Sequence, residues 1–235
     1  MVNFKNSLYY AKNMSLKQTD LDENVVFVIC AHSDDQIFGP GGTVAKYAKE
    51  GKQIYTIIFS YGEGSHPWFQ KHYTIKARVK EALSADKFIG GSGVLFLGLQ
   101  ESKFLEQYSA RKIHAKMRRL LLKYKPKRIF THSMDDPLPD HRALHKRLIE
   151  TLDKIKYPGE VYAFDVWTIF NFKKRHYVQI AVDISDTFKT KVAALRLFKS
   201  QAAARFSLTW SVYVKAWING KKNKVRYAEV FYKIR

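Results

Sequence analysis

Cysteine is almost absent from this 235-residue chain, and acidic residues are about half as frequent as basic ones. The one cysteine, Cys30, excludes a disulfide within the chain, and it lies in an apolar run where a small buried side chain is expected. A chain without disulfides is typical of a reducing compartment. Because the first 24 residues also lack the apolar segment of a secretory signal, we expect a cytoplasmic protein.

Long apolar runs are missing as well. No stretch reaches the roughly 18–20 apolar residues that span a bilayer. Hydrophobic residues nevertheless make up 46% of the chain and aromatic residues 14%, which is typical of a globular protein with a full core. Since the sequence contains neither repeats nor low-complexity segments, we expect one domain over residues 1–235.

Acidic residues are also scarce. The chain carries 41 Lys and Arg against 21 Asp and Glu, a formal net charge of +20, with basic clusters at residues 111–128 and 221–227. This excess favours anionic partners such as phosphates or acidic headgroups, but a solvated lysine-rich surface explains it equally well. We do not expect nucleic acid to be the partner, and contact with a membrane surface and homo-oligomerisation stay open.

The apolar pattern alternates between strand-like and helix-like segments, which favours βαβ units and a mostly parallel sheet. Strands are predicted at residues 25–30, 53–60, 94–99, 128–133, 160–167, 177–185 and 227–234. Helices are predicted at residues 41–52, 71–91, 109–125, 141–155 and 186–203. The fold class is therefore α/β.

Two polar loops follow predicted strands. Residues 31–42, with the sequence AHSDDQIFGPGG, follow the strand at 25–30, and residues 134–141, MDDPLPDH, follow the strand at 128–133. In open α/β sheets, ligands bind in the crevice beyond the carboxyl ends of the strands. The two loops therefore lie where such folds build their sites.

The side chains of these loops suit a metal-dependent hydrolase. A zinc hydrolase needs about three protein ligands and one open position for water. His32 and Asp35 are close enough in sequence to reach one ion, His141 is the natural third ligand, and Asp34 can accept a proton from the water. The residues alone also allow a plainer interpretation, in which the acids only cap helices.

A resemblance to a known family favours the metal site. The segment AHSDDQIFGPGGTVAKYAKEG, residues 31–51, resembles the signature of the PIG-L/LmbE family of metal-dependent N-acetylglucosaminyl deacetylases, and LPDH, residues 138–141, resembles its second motif, His-Pro-Asp-His. The segments TIIFSYGEG, RVKE, FLGL, VDIS, KSQAA and YAEVFY follow in the family's order. The resemblance covers nearly the whole chain, which is identified as a single PIG-L/LmbE-like domain.

The resemblance implies a fold, a metal and a reaction. The fold is a Rossmann-like three-layer α/β/α sandwich with a mostly parallel central sheet. One Zn2+ ion per chain is implied on His32, Asp35 and His141, with Asp34 as general base, although this ligand set would also accept Fe2+ or Co2+. The implied partner is a small amino-sugar substrate, from which the protein would remove an N-acetyl group. The high positive charge favours an anionic form of that substrate, such as a phosphoinositol-, nucleotide- or lipid-linked sugar.

Three residues depart from the family pattern. Ser33 replaces a proline, and Gln36 replaces a glutamate and is expected to form hydrogen bonds within the loop. Leu138 replaces a histidine that assists the carbonyl, and leucine cannot donate a hydrogen bond.

Other polar residues are candidates for the site. Substitutes for the missing imidazole are His132, His66 and His145, and His145 could also compete as a metal ligand. We expect Asp140 to orient a site histidine or to cap the helix that follows it. Arg78 is expected to pair with Glu81 or to bind the substrate.

Two alternatives remain. The chain could cleave another amide, such as a thiol conjugate or a chitooligosaccharide acetamide. It could also be a basic binding module on a former deacetylase scaffold, in which Leu138 marks the loss of catalysis.

Overall fold

The computed structural model describes residues 17–65, 71–101, 103–167 and 178–235. Seven strands form one sheet. The strands are β1 (Asp22–Cys30), β2 (Gln53–Ser60), β3 (Gly93–Leu99), β4 (Pro126–His132), β5 (Glu160–Phe164), β6 (Gln179–Asp183) and β7 (Ala228–Lys233). Their order across the sheet is β3-β2-β1-β4-β5-β7-β6.

Most of the sheet is parallel. Strands β1 to β5 pair in parallel with their neighbours, whereas β7 is antiparallel to both β5 and β6. The predicted fold class is confirmed, since helices cover both faces of this mostly parallel sheet. The helices are α1 (Asp35–Phe38), α2 (Gly41–Lys49), α3 (Lys71–Ile89), α4 (Phe104–Ala110), α5 (Ile113–Tyr124), α6 (Pro139–Lys154), α7 (Phe188–Leu195) and α8 (Ala202–Lys222).

Strand β1 explains why the core has two halves. Its residues 25–30 are all buried, as expected for a parallel strand covered on both faces. Val26, Val28 and Cys30 pack into one apolar cluster, and the alternate residues Phe27 and Ile29 pack into the other. This alternation follows from the two-residue period of a strand. Cys30 is a buried free thiol, as predicted.

The chain reverses direction across the sheet between β1 and β4. From β1 it moves outwards through β2 to β3, and it then returns to place β4 on the other side of β1. The loops after β1 and β4 therefore leave the same edge of the sheet side by side. Such a switch point opens a crevice for ligands.

Two helical predictions differ from the structure, and one helix was not predicted. The predicted helix at 109–125 is divided, because Lys112 adopts left-handed backbone angles between α4 and α5. The break lets Tyr108 and Ile113 enter the same apolar cluster from two helix directions. The predicted helix at 186–203 ends earlier, at Leu195, and the chain turns at the buried Phe198. The long helix α8 was not predicted. No described helix has the length and apolar character needed to span a bilayer.

Candidate metal centre

The loop after β1 holds the first part of the site. Helix α1 begins at Asp35, directly after His32, Ser33 and Asp34. The backbone N–H of His32 donates to Asp35 Oδ2 at 2.8 Å, so the loop folds back and fixes the Asp35 carboxylate. Ser33, Asp34 and Asp35 are all buried.

The loop after β4 holds the second part. His132 is the last residue of β4, and helix α6 begins at Pro139, a favoured residue for the first helical position. His141 therefore lies in the first turn of α6 and is fully buried. The backbone N–H of Leu138 donates to Asp136 Oδ1 at 3.1 Å, and this bond orders the loop that leads into the helix.

The structure brings His32, Asp35 and His141 together. His32 Nδ1 lies 3.2 Å from His141 Nε2, and these two nitrogens lie 3.6 and 3.4 Å from Asp35 Oδ2. All three atoms are within 4.8 Å of one another; Asp35 and His141 are buried, and the His32 side chain is only 12% exposed. The predicted ligand trio thus converges across 109 residues of sequence.

The surroundings of His141 indicate whether this trio fits a cation. His141 Nδ1 lies 3.0 Å from Asp136 Oδ1, so this carboxylate is placed to orient the ring. The other ring nitrogen, Nε2, faces His32 Nδ1 and the Asp35 carboxylate. Two ring nitrogens and a carboxylate oxygen that face one another in this way have the arrangement of ligands around one shared cation. The donor set, two imidazoles and one carboxylate, suits zinc.

The site is acidic, although the protein as a whole is basic. Besides Asp34 and Asp35, three further carboxylates lie against the histidines. They are Glu101 and Asp140, at 3.4 and 3.5 Å from His32 Nε2, and Asp136 beside His141. Such a concentration of negative charge attracts a cation.

The acidic surroundings change the proton affinities of the histidines. Burial disfavours the charged form of His32, but the hydrogen bond with Asp140 and the charge of Asp35 outweigh it and raise the pKa to about 10. For His141, burial is likewise outweighed by Asp35 and Asp136, and the pKa is raised to about 9. Without a metal, the site therefore holds protons where a divalent cation would bind, so metal affinity depends on pH.

The two neighbouring aspartates are in different states. Burial opposes the ionisation of Asp35, but the adjacent His141 charge holds its pKa well below the usual range. Burial raises the pKa of Asp34, and the charge of Asp35 adds to this rise against the opposing charge of Arg78. Asp35 thus remains an anionic ligand, whereas Asp34 is suited to exchange a proton.

Arg78 is buried next to Asp34. Its Nη2 lies 3.5 Å from Asp34 Oδ1, its Nε donates to Ser33 Oγ at 3.0 Å, and its Nη1 donates to the carbonyl of Gly62 at 2.6 Å. Ser33 thus supplies a hydrogen-bond acceptor that proline could not. The expected Arg78–Glu81 pair is wrong, because Glu81 instead accepts hydrogen bonds from Ser200. Substrate binding by Arg78 stays a prediction.

His132 lies behind the ligand trio. It is fully buried, its Nε2 accepts from the backbone N–H of Ala31 at 3.0 Å, and the same nitrogen lies 3.1 Å from Asp35 Oδ2. Burial and the nearby His141 charge lower its pKa to about 4, so the ring is neutral. Among the described residues, His132, Asp136 and His141 also form a second group with metal-binding spacing.

His145 and Asp140 lie beside the site. His145 Nδ1 donates to the carbonyl of His132 at 2.8 Å, and neither metal-binding group of the described residues includes His145. Asp140 contacts His32 as expected, but it does not cap α6, because the cap position belongs to Leu138. His66 lies outside the described residues, so its predicted role is not examined by the structure.

Sequence reasoning missed Glu101. Glu101 follows β3, a third strand that ends at the same sheet edge, and its Oε2 accepts from the backbone N–H of Gly64 at 2.5 Å. An acid just beyond a strand end was the available signal. The expectation for Gln36 is wrong, since its fully buried amide has no hydrogen-bond partner within the described part of the chain.

Fold and site together define an α/β protein with a candidate metal centre at the switch point of its sheet. A profile of the PIG-L family, described as GlcNAc-PI de-N-acetylase, matches residues 27–152, more than half of the chain. The chain belongs to the PIG-L family, as the motifs in its two polar loops suggested.

Relatives of the chain include deacetylases and a hydratase. The 4-oxalmesaconate hydratase of Pseudomonas putida is 26% identical over 210 residues, which cover 80% of this chain and 78% of the relative. The structure of N,N'-diacetylchitobiose deacetylase from Pyrococcus horikoshii superposes with a TM-score of 0.74 at 22% identity, covering 91% of this chain and 84% of that chain. The zinc-inhibited form of teicoplanin deacetylase Orf2 gives a TM-score of 0.71 at 13% identity, covering 89% and 97%. At these identities, the structural likeness establishes the fold.

Proposed function

We propose that this protein is a zinc-dependent hydrolase that removes an N-acetyl group from an N-acetylglucosamine-containing substrate. The observation that carries the proposal is the convergence of His32, Asp35 and His141, with the protonatable Asp34 beside them. Family membership supports the same reaction class. Deacetylation converts the amide and one water molecule into acetate and a free amine.

His32, Asp35 and His141 would hold the ion. When bound, zinc supplies Lewis-acid chemistry, which acidifies water and polarises a carbonyl. Asp136 would hold the His141 ring with Nε2 available as a ligand, and the Asp35 carboxylate would supply negative charge to balance the ion. The same ligand set accepts Fe2+ or Co2+, so the native metal is part of the test.

Asp34 is the proposed general base. Its raised pKa matches a group that takes a proton from the attacking water and then returns it to the leaving amine. Arg78 positions the Asp34 carboxylate through the contact at 3.5 Å, and its positive charge opposes the rise of the Asp34 pKa. Asp140, which contacts His32, is proposed to orient that ring.

An anionic substrate is the proposed extension. The net charge of +20 favours the approach of phosphorylated or lipid-linked sugars. If this is right, added salt should raise KM steeply, because exposed charges are screened within a Debye length of about 8 Å at physiological ionic strength. A KM that does not depend on salt would remove this extension and leave the deacetylase proposal intact.

The direct experiment is the release of free amine from a panel of N-acetylated substrates. The panel contains N-acetylglucosamine, its phosphoinositol- and nucleotide-linked forms, chitooligosaccharides and a thiol-conjugated amide. We expect activity that is lost with a chelator, restored by Zn2+, Co2+ or Fe2+, and nearly abolished in Asp34→Asn. A chain that binds no metal, releases no amine and binds polyanions tightly would instead be a binding module.

A hydratase is the second candidate. It is favoured by one observation, the 26% identity to 4-oxalmesaconate hydratase over most of both chains. Hydration also needs an activated water, and Leu138 lies where the resemblance to the deacetylase motif would place a histidine. Metal-dependent consumption of 4-oxalmesaconate, together with no amine release from the panel, would favour the hydratase over the deacetylase.

A further inference from the structure

A long part of the sequence contains no acidic residue. Between residues 187 and 228 there are ten basic residues and neither Asp nor Glu. The basic residues are Lys189, Lys191, Arg196, Lys199, Arg205, Lys215, Lys221, Lys222, Lys224 and Arg226. This segment includes helices α7 and α8 and the turn into β7. Its charge contrasts with that of the candidate metal centre, which is rich in carboxylates.

A pocket of about 340 Å³ lies within this segment, between α7, α8 and the turn before β7. Phe188, Tyr213 and Tyr227 provide its aromatic surface: Phe188 stacks on Tyr227 with ring centroids 4.0 Å apart and meets Tyr213 edge-on at 5.0 Å.

The exposed cations Lys189, Arg196 and Arg226 also line this pocket. Among the described residues that line it, none is acidic. The nearby carboxylate of Asp183 is occupied by hydrogen bonds from Ser185. The pocket therefore presents positive charge beside aromatic rings, which suits a phosphate-bearing ligand.

Helix α8 adds an exposed aromatic stripe next to the pocket. Trp210, Tyr213 and Trp217 are 51%, 42% and 53% exposed, and their spacing of three and four residues places them on one side of the helix. Lys221, one turn further, lies 5.9 Å above the Trp217 ring. Since Leu208, Val212 and Ala216 anchor the opposite side in the core, the stripe faces outwards from a fixed helix.

We infer that the pocket and the stripe together form a docking surface for an anionic phospholipid bilayer. Tryptophan and tyrosine rings favour the depth of the headgroups at a membrane interface, and lysine and arginine near the surface are attracted to anionic lipids. The phosphate of a headgroup would lie among Lys189, Arg196 and Arg226, with the α8 rings at the level of the interface. This surface is separate from the metal ligands, so the inference does not depend on the reaction.

The charge and the exposed rings of this surface favour a bilayer over two other occupants, a second copy of the chain and a soluble phosphate. In a symmetric contact with a second copy, the same patch faces itself, which would bring these cations opposite like charges. A soluble phosphate would contact only the cations of the pocket, so it would not explain why Trp210 and Trp217 are exposed beside them. An anionic bilayer accounts for both features.

The test is cosedimentation of the full chain with vesicles of phosphatidylcholine alone or mixed with phosphatidylglycerol. We expect binding to the anionic vesicles only, with a blue shift of tryptophan emission. Trp210→Ser combined with Trp217→Ser should abolish the shift and weaken binding. Lys189→Gln combined with Arg226→Gln should weaken binding about tenfold or more, since each basic residue contributes about 1 kcal/mol near an anionic surface.

Matched controls come from α3, where Lys80, Lys87 and Phe88 are also exposed. Phe88→Ser, and Lys80→Gln combined with Lys87→Gln, should bind anionic vesicles like the unchanged chain. Loss of binding in these controls, equal binding to neutral vesicles, or unchanged binding of the α8 variants overturns the proposal. The proposal is also overturned if inorganic phosphate binds to the chain while vesicles do not. It is overturned as well if the chain self-associates and the tryptophan changes abolish that self-association. Amine release, measured in parallel without vesicles, keeps this outcome distinct from that of the proposed function.

Discussion

At the scale of single residues, the site depends on two adjacent carboxylates with different surroundings. Asp35 faces three histidines, and its pKa is held well below the usual range despite its burial. Asp34 is also buried, but it faces Arg78, and its pKa is raised. Neighbouring acids whose pKa values are driven apart can take separate roles, one as metal ligand and the other as proton carrier.

The Asp34→Asn variant separates these roles. We expect kcat for amine release to fall by about 10²-fold or more, because the amide cannot accept the proton of the attacking water. The metal content should stay at the level of the unchanged chain, since Asp34 is not one of the proposed ligands. The exposed Asp186 provides a control in Asp186→Asn. Equal loss of metal and activity in Asp34→Asn would show that Asp34 is instead a ligand.

The family's histidine can be restored at position 138, where this chain has a leucine. Leu138 lies at the cap position of α6, partly exposed, three residues before His141. Removing one donor to a developing oxyanion costs about 10²–10³ in rate, so Leu138→His should raise kcat by about tenfold or more even when the new ring is imperfectly placed. Leu138→Ala, which lacks a donor, should not raise it. If kcat does not change in Leu138→His, another group already donates a hydrogen bond to the substrate carbonyl.

The ligand trio could be predicted from the sequence because its members lie in two short motifs after strands. The supporting carboxylates could not. Asp136 is indistinguishable in sequence from its exposed neighbour Asp135, and only the fold buries it against His141. Glu101 reaches the site from a third strand, and its contact with His32 depends on how the loop after β3 packs.

At the scale of secondary-structure elements, a buried ion pair joins the elements around the first loop. Glu229 of β7 accepts hydrogen bonds from the backbone N–H groups of Gly42 and Thr43, at the start of α2, and from Lys191 Nζ at 2.6 Å. Lys191 also donates to the carbonyls of Phe38 and Gly39. The pair thus holds α1 and α2, which follow the ligand loop, against α7 and the sheet.

The Glu229→Gln variant should lose about 3 kcal/mol of the free energy of unfolding, because it leaves the buried Lys191 charge without its partner. Urea denaturation at neutral pH measures the loss. Glu160 pairs with Lys233 at a more exposed position, so Glu160→Gln should cost less than about 1 kcal/mol. Adding Lys191→Met to Glu229→Gln should recover part of the loss. Similar costs for the two glutamates would argue against a special role of the buried pair.

Asp86 of α3 gives the fold a pH dependence. Burial raises its pKa from an ordinary value of 3.8 to about 6, against an opposing hydrogen bond from Thr56. The folded state therefore binds the proton more tightly than the unfolded state. The resulting stabilisation is complete below pH 3.8 and is lost as the pH rises to about 6.

The Asp86→Asn variant should remove this dependence, because the amide stays neutral. Relative to the unchanged chain, we expect it to be more stable by about 3 kcal/mol at pH 7.5 and equally stable below pH 4. Urea denaturation across this pH range measures the difference. As a control, Glu50→Gln, at an exposed position, should show no such trend. A difference that does not vary with pH would contradict the buried-acid explanation.

Strands were easier to predict than helices in this chain. The run at 53–60 matches β2 residue for residue, since its richness in β-branched and aromatic side chains is a local signal. Helix α8 was missed although Leu208, Val212 and Ala216 recur at helical spacing, because Trp210 and Trp217 on its other side obscure the apolar contrast. The antiparallel insertion of β7 between β5 and β6 depends on long-range pairing, which no local pattern encodes.

At the scale of the whole molecule, charge is separated between two regions. Carboxylates gather around the histidines at the β1–β4 switch point, whereas the acid-free segment 187–228 carries ten basic residues. The net charge of +20 is an average over the chain and does not show that one region is acidic and the other strongly basic. One region suits a divalent cation and the other suits an anionic surface, so salt should weaken vesicle binding while leaving metal content unchanged.

The metal content of the purified chain tests the central claim most directly. It is measured by elemental analysis after the chain has been loaded with Zn2+ and the excess removed. We expect about one ion per chain, a value typical of a three-ligand catalytic site. His32→Ala and His141→Ala should lose it, and His72→Ala, a change at an exposed histidine of α3, should retain it. One ion retained in both His32→Ala and His141→Ala, or no ion in the unchanged chain, would contradict a metal centre built on these residues.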